Sequence, residues 1–254
     1  MRNCNVRDAA AIMRYFAFLE EELLKEDHEL NEFNGARKMD KYREDGEHHM
    51  GPSFDTISSI GPNGAVIHYK PEEDSALKLH NDSIYLLASG GQYLDGTPDT
   101  TRCFFSGKAG TKPTAEMKDS YTRVLMGVLD LQEIVWPSDS TYSGSDMDIL
   151  ARRHLFAVGK DYKHGTGHGV GTFLNVHEGP QGISKVSKVK LETGMCVSNE
   201  PGYYEAGEYG IRIENVQMCV PHEKLPNFFR WENLTVAPYC RELIEKDLLS
   251  PQMV

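Results

Sequence analysis

No apolar run in the 254-residue chain approaches the ~18 residues from which a bilayer-spanning helix is read, so a membrane partner is not expected. The opening residues, MRNCNVRDAAAIMRYF, lack a signal-peptide apolar region followed by a small-residue cleavage site, and a cytoplasmic location is the expectation. Cysteine is sparse: Cys4, Cys103, Cys196, Cys219 and Cys240 are odd in number, scattered, and never spaced as CxxC. That fits reduced thiols better than a disulfide framework or a zinc knuckle. Positive charge is also short, with 27 Lys and Arg against 38 Asp and Glu and a formal net charge of −11. A chain of that balance is not built for nucleic acid or an anionic membrane surface. Low-complexity segments and Gly/Ser linkers are missing too, so a single domain over residues 1–254 is expected.

What is present is enough apolar residue, 39%, for a real core. Val6, Ala9, Ala10, Ile12, Met13, Phe16, Leu19, Leu23 and Leu24 keep a three-to-four spacing that predicts an amphipathic helix over 5–30. A more polar helix follows over 34–48, with His48 and His49 solvated. Residues 53–68 read as two strands about a Gly-Pro-Asn-Gly turn, His68 closing the second. Residues 83–91 and 99–107 predict an antiparallel pair joined through an Asp-Gly turn. Pro113 opens a helix running to about Trp136, and a shorter helix spans 145–158 and stops at Gly159. Strand-like runs return around Glu200 and Glu214. A last strand over 234–239 and a helical turn over 241–249 complete the reading, which is an α+β chain of two similar halves.

One stretch does not look like core. HGTGHGVGTFLNVHEGP, residues 164–180, packs three histidines, five glycines and one acid into seventeen positions. Glycine at every second position from 165 to 171 disfavours a helix, each costing roughly 1 kcal/mol against alanine, and permits close backbone approach to a ligand. Histidines are the neutral donors that divalent transition metals favour. Asp99, Glu200 and Glu214 also sit among apolar or small neighbours, where an unpaired carboxylate is expensive. Arg212, two residues before Glu214, shares its strand face and supplies part of the compensation. Three carboxylates with His168 form a mostly oxygen donor set suited to Mn²⁺, Co²⁺, Zn²⁺ or Mg²⁺.

HGTGHGVGTFLNVHEGP, NEPGYYEAGEYGIRIEN, SSIGPNGAVIHY and GGQYLDGTPDTTR, in that company, resemble the signature blocks of the aminopeptidase P (Xaa-Pro aminopeptidase) family. The resemblance runs from the first helix to LTVAPY near residue 239. It implies the pita-bread fold, two similar halves around a curved antiparallel sheet with the metal site in a central cleft. It implies Asp99, His168, Glu200 and Glu214 as metal ligands. His68, His164 and His177 become substrate-lining, proton-shuttling histidines, and Arg212 the arginine beside the last ligand. The implied reaction is hydrolysis of the bond between an N-terminal residue and a following proline by metal-activated water, with Glu200 relaying the proton. The implied cofactor is a divalent metal, Mn²⁺ first, with Co²⁺ or Zn²⁺ as alternatives. The implied partner is a peptide with proline second, and a homodimer is the default assembly.

Position 88 departs from that family. Its members carry a fifth ligand, an aspartate eleven residues before the one matching Asp99, and this chain has Ala88 there. Asp95 lies in the turn and is not expected to substitute. The expectation is therefore one well-held ion on the His168/Glu200 side and a weakened second site, since losing even an outer partner typically costs about 10–100-fold in affinity. The family's N-terminal domains are expected to be absent. Prolidase or methionine aminopeptidase specificity on the same fold is the nearer alternative. The other reading is a catalytically inactive pita-bread module that binds peptide or protein.

Overall fold

The computed structural model describes residues 1–107, 110–251 and 253. The first half runs α1 (Arg2–Glu22), α2 (Glu32–Glu44), β1 (His49–Pro52), β2 (Ile57–Ile60), a 3₁₀ turn (Gly61–Ala65), β3 (Tyr85–Ser89), β4 (Gly91–Tyr93) and β5 (Thr100–Phe104). The second half opens with α3 (Ala115–Gln132), β6 (Val135–Pro137), α4 (Gly144–Phe156), β7 (Gly167–His168) and β8 (Gly182–Ile183). It continues with β9 (Cys196–Asn199), β10 (Gly202–Glu205), β11 (Tyr209–Arg212), β12 (Asn215–Pro221) and β13 (Phe228–Asn233). Two short 3₁₀ turns, Arg241–Leu243 and Lys246–Leu248, follow.

Each half is a helix pair laid on an antiparallel sheet. Strands β2-β3-β5 form a three-stranded sheet, and β6-β13-β12-β9 a four-stranded one. Alternation along β3 explains why its two faces enter different cores. Tyr85 and Leu87 pack with Ile12, Leu19 and Met39 from α1 and α2, whereas Leu86 and Ala88 face Val124 and Val128 of α3 and Ile211 and Ile213. A third cluster joins α3 and α4 to the second sheet through Leu131, Met147, Val197 and Trp231. The halves are stitched near the cleft, where Glu214 N–H donates to the Thr101 carbonyl at 3.1 Å.

Several boundaries differ from the sequence expectation. Helix α1 stops at Glu22 because the chain beyond it pairs sideways: Leu79 N–H donates to Leu30 C=O and Glu32 N–H to Leu77 C=O. Helix α2 begins earlier than residue 34, since Asn31 and Asn34 form a reciprocal capping box, and it ends before His49, which starts an edge strand. The chain around Pro62 is not a hairpin. It is a 3₁₀ turn with Gly61 at φ +54°, and residues beyond it, including His68, are irregular. No strand spans 234–239. There the carbonyls of Ala237 and Pro238 accept from the buried Arg102 guanidinium instead of a ladder. The last strand is β13, which the charges of FFRWEN disguise.

The five cysteines are free thiols, four of them buried. Among the described residues, no helix is long and apolar enough to cross a membrane. At the far end of the first half, Arg43 and Asp8 form a fully buried ion pair, with Nε–Oδ1 at 2.7 Å. Asp8 also accepts from Gly91 N–H and the Tyr93 hydroxyl, tying α1 and α2 to β4.

Candidate metal centre

Backbone contact, possible only at glycine, sets the geometry of the cleft. A Cβ on Gly167 would stand 1.9 Å from the Ser198 carbonyl oxygen. Its absence lets β7 abut β9, so that His168 N–H donates to Ser198 Oγ at 2.9 Å. A Cβ on Gly210 would stand 1.7 Å from the Gly64 carbonyl oxygen. That approach seats the 3₁₀ turn, and the His68 loop beyond it, against the strand that delivers Arg212.

All eight residues singled out from the sequence line one cavity of about 470 Å³: His68, Asp99, His164, His168, His177, Glu200, Arg212 and Glu214. Ala88 lies in its wall, 2% exposed, and Phe54, Ile57 and Ile67 are among its apolar lining residues. Ala88 stands opposite Thr101 and Ile57 in the sheet register. Asp95 is elsewhere, its carboxylate on Arg7 and its carbonyl on the Met1 amine, and contributes nothing to the cleft.

His168 Nδ1 lies 2.9 Å from the Gly169 carbonyl, an acceptor only, so this nitrogen carries the proton. Nε2 then faces Asp99 Oδ2 and Glu200 Oε1, each at 3.3 Å. Ser198 Oγ donates to Glu200 Oε1 at 3.0 Å, and Thr101 Oγ1 to Glu214 Oε2 at 2.6 Å. Arg212 donates to Thr101 Oγ1 at 3.1 Å and lies 4.0 Å from Glu200.

The buried acids and His168 perturb one another strongly. Burial, then repulsion from Asp99 and Glu200, pushes Glu214 well above the usual carboxylate range. Burial raises Glu200 as well. Burial opposes charge on His168, yet the Asp99 hydrogen bond and the Glu200 and Asp99 charges outweigh it and push the imidazole up to about 10. The donor set fits a divalent ion: the ligand atoms of His168, Glu200 and Glu214 lie within 4.8 Å of one another, and so do those of Asp99, His168 and His177.

The remaining histidines differ in character. His164 Nδ1 donates to the Gly165 carbonyl at 2.7 Å, and Nε2 accepts from the Tyr204 hydroxyl at 2.9 Å, which in turn accepts from Arg212 at 3.1 Å. Burial holds His164 down at about 4. Arg152 fixes its loop by donating to the carbonyls of Tyr162 and His164, both at 2.8 Å. His177 lies on an exposed loop with its ring centroid 3.7 Å from that of His168. Burial and the His168 charge lower it. His68 is exposed at the cavity edge.

Sequence reasoning passed over the braces. Glu32, wholly buried, accepts from Ile60 and Leu77 N–H, Asn63 Nδ2 and the Tyr69 hydroxyl, holding both ends of the loop that carries His68. Tyr204, Thr101, Ser198 and Arg152 play similar parts. Only the YY pair beside Glu200 and the threonines beside Asp99 hinted at them.

Two helix-backed sheets closing on a cleft of acids and histidines define a pita-bread metallohydrolase fold. The chain belongs to metallopeptidase family M24, whose pattern matches residues 1–220. It is 50% identical over 259 aligned residues to a probable Xaa-Pro aminopeptidase P of Tuber melanosporum, covering 99% of this chain and 41% of that protein. A counterpart from Phaeosphaeria nodorum is 48% identical, with 98% and 39% covered. Among solved structures, the X-prolyl aminopeptidase of Caenorhabditis elegans, described as a cytosolic enzyme with a di-nuclear active site, superposes with a TM-score of 0.92 at 38% identity. That match covers 100% of this chain and 41% of the other. The prolidase of Thermococcus sibiricus shares the fold, with a TM-score of 0.76 at 24% identity over 94% of this chain and 58% of its own. The chain thus spans about two fifths of the aminopeptidase relatives it matches.

Proposed function

We propose that this chain is the catalytic domain of a metal-dependent Xaa-Pro aminopeptidase. The observation that carries the reading is the meeting, in one cavity, of Asp99, His168, Glu200 and Glu214 with His68, His164, His177 and Arg212. A peptide with proline second is the substrate, and apolar lining residues such as Phe54, Ile57 and Ile67 suit a pyrrolidine ring. A divalent ion held by Asp99, His168, Glu200 and Glu214 supplies Lewis-acid polarisation of the scissile carbonyl and acidifies the attacking water. Mn²⁺, Co²⁺ and Zn²⁺ are the candidates, with one firmly held ion, because Ala88 offers no donor atom.

The chain's own groups divide the remaining work. Glu200, raised by burial, takes the proton of the attacking water and returns it to the leaving proline nitrogen. Arg212 holds Thr101, and through it the Glu214 carboxylate, in place. His68, at the open edge, and His177 face an incoming peptide. His164 has both nitrogens engaged and must exchange its Tyr204 bond to meet substrate. A cytoplasmic setting and a homodimer complete the proposal, the former in line with the cytosolic relative.

The second reading, a binding module without turnover, is favoured by Ala88 alone. Release of the N-terminal residue from an Xaa-Pro-Xaa peptide with added Mn²⁺, on the chain and on Ala88→Asp together, separates the two. Cleavage by the parent supports the enzyme. Cleavage by Ala88→Asp alone supports a site disabled at one ligand, and none by either sinks the aminopeptidase reading for this chain.

A further inference from the structure

A second cavity, of about 240 Å³, lies beside the metal cleft and shares His164 and Gly165 with it. The cleft is closed by buried Ala88, Asp99 and Glu214, whereas His68, Gly165 and His177 are exposed at its mouth. An aminopeptidase keeps one residue ahead of the scissile bond, so everything after proline has to leave through that mouth. Gly165 stands on the boundary of the two cavities and presents no side chain there, which lets a peptide backbone approach closely. An extended peptide advances about 3.3 Å per residue, so the positions just after proline are the ones that reach the second cavity.

Its charge is opposite to that of the protein as a whole. Residues 160–190 carry five lysines and two acids in a chain of net charge −11, and Lys163 and Lys185 line this cavity. Arg152 lines it too, but its guanidinium is engaged by Asp148 and Asp161. Arg152 also donates to the carbonyls of Tyr162 and His164, which fixes the backbone on both sides of Lys163. The Lys163 side chain is 85% exposed, and its Nζ lies 3.7 Å from Asp161 Oδ2, beyond hydrogen-bond length. Lys185 is exposed and forms no ion pair among the described residues. Its loop is tied down at both ends, by the pairing of Gly182 with His168 and by Ser145 N–H donating to the Ser187 carbonyl at 3.0 Å. We propose that this cavity is a subsite for a carboxylate carried by the substrate beyond proline, with Lys163 and Lys185 as its specificity-determining residues. The carboxylate is that of an Asp or Glu side chain, or the C-terminus of a short peptide. The proposal rests on the aminopeptidase reading for the direction of the peptide. Because neither lysine lines the metal cleft, the preference falls on KM and leaves kcat alone.

The test compares Ala-Pro-Ala-Ala amide with the amides of Ala-Pro-Glu-Ala and Ala-Pro-Ala-Glu and with free-acid Ala-Pro-Ala-Ala, by alanine release in Mn²⁺. At least one carboxylate-bearing peptide should show a KM about 3–10-fold below that of the neutral amide, the range for one or two exposed ion pairs. Preference for the glutamyl amides identifies a side-chain carboxylate, and preference for the free acid identifies the C-terminus. The advantage should shrink in high salt, fall to about 1-fold in Lys163→Ala/Lys185→Ala, and reverse in Lys163→Glu/Lys185→Glu. Lys188→Ala, on the same loop but with its Nζ 3.2 Å from Ser145 Oγ, should keep the parental ratio. Circular dichroism checks that each variant is folded. Equal KM for all four peptides would overturn the subsite, and so would a loss of preference in Lys188→Ala as large as in the double variant. If no peptide releases alanine, the aminopeptidase reading fails for this chain, and calorimetric titration of the same peptides into the Mn²⁺-loaded protein decides the subsite separately. Tighter binding of a carboxylate-bearing peptide, lost in the double variant, then supports it, and equal or absent binding overturns it.

Discussion

Substituting Ala88→Asp perturbs the cleft in opposite directions with and without metal, and both sizes follow from the structure. Ala88 is 2% exposed and lines the wall that also carries Asp99, Glu200 and Glu214. In metal-free protein a fourth acid enters a cluster whose fixed cation is Arg212. It takes a proton rather than remain charged, and the cost becomes that of a buried polar group without a full set of partners, about 1–3 kcal/mol. For a chain of this size about 1 kcal/mol moves Tm by roughly 2–4 °C, so a loss near 2 kcal/mol lowers Tm by about 4–8 °C in chelator. An ion present at 100 times its Kd adds about 2.7 kcal/mol. If the new carboxylate completes a second ion position, Mn²⁺ therefore stabilises the variant by about that much more than the parent, and the order of Tm inverts. The assay is thermal unfolding of both proteins in chelator and across a Mn²⁺ titration. Equal Tm in chelator together with equal metal-induced shifts would refute the reasoning, because position 88 would then lie outside the low-dielectric metal cluster.

Three further outcomes are expected. Arg43→Ala strands the Asp8 carboxylate in the core, a break that costs about 3–5 kcal/mol, so Tm should fall by at least about 6 °C; a smaller shift would show that Asp8 finds water. The His164 imidazole ionises at about 4 in the fold against 6.5 ordinarily, so between those values the unfolded chain binds the proton and the fold does not. Stability from this source is complete above pH 6.5 and falls towards pH 4 by up to about 3 kcal/mol, and His164→Gln should flatten that slope in urea unfolding at stepped pH. Gly210→Ala drives a Cβ into the Gly64 carbonyl; peptide hydrolysis should drop along with Tm, and a fully active, equally stable variant would show that the turn and β11 can separate without consequence.

Much of this protein follows from local sequence physics. The periods of α1, α3 and α4 arise from interactions between near neighbours, and these helices start in the structure within a few residues of where they were expected. Asp99, His164, His168, His177, Glu200 and Glu214 stood out as candidates for a related reason, since acids and histidines among apolar or glycine neighbours have no inexpensive structural use, whereas His68 became a candidate only through the family resemblance. Other features required the fold. Whether 23–31 continued as helix depended on backbone partners at 77–79, and whether 234–239 formed a strand depended on Arg102, more than a hundred residues away. Glu32 reads locally as an ordinary acid just ahead of a polar helix, yet tertiary packing makes it the buried hub of the His68 loop. Position 88 shows the division most plainly. The sequence by itself determined that a donor atom is lacking there, because that is a matter of residue identity. That His177 stands beside His168 and Asp99 was decided only by tertiary structure, because the proximity depends on how β7, β8 and the end of β5 are folded over one another.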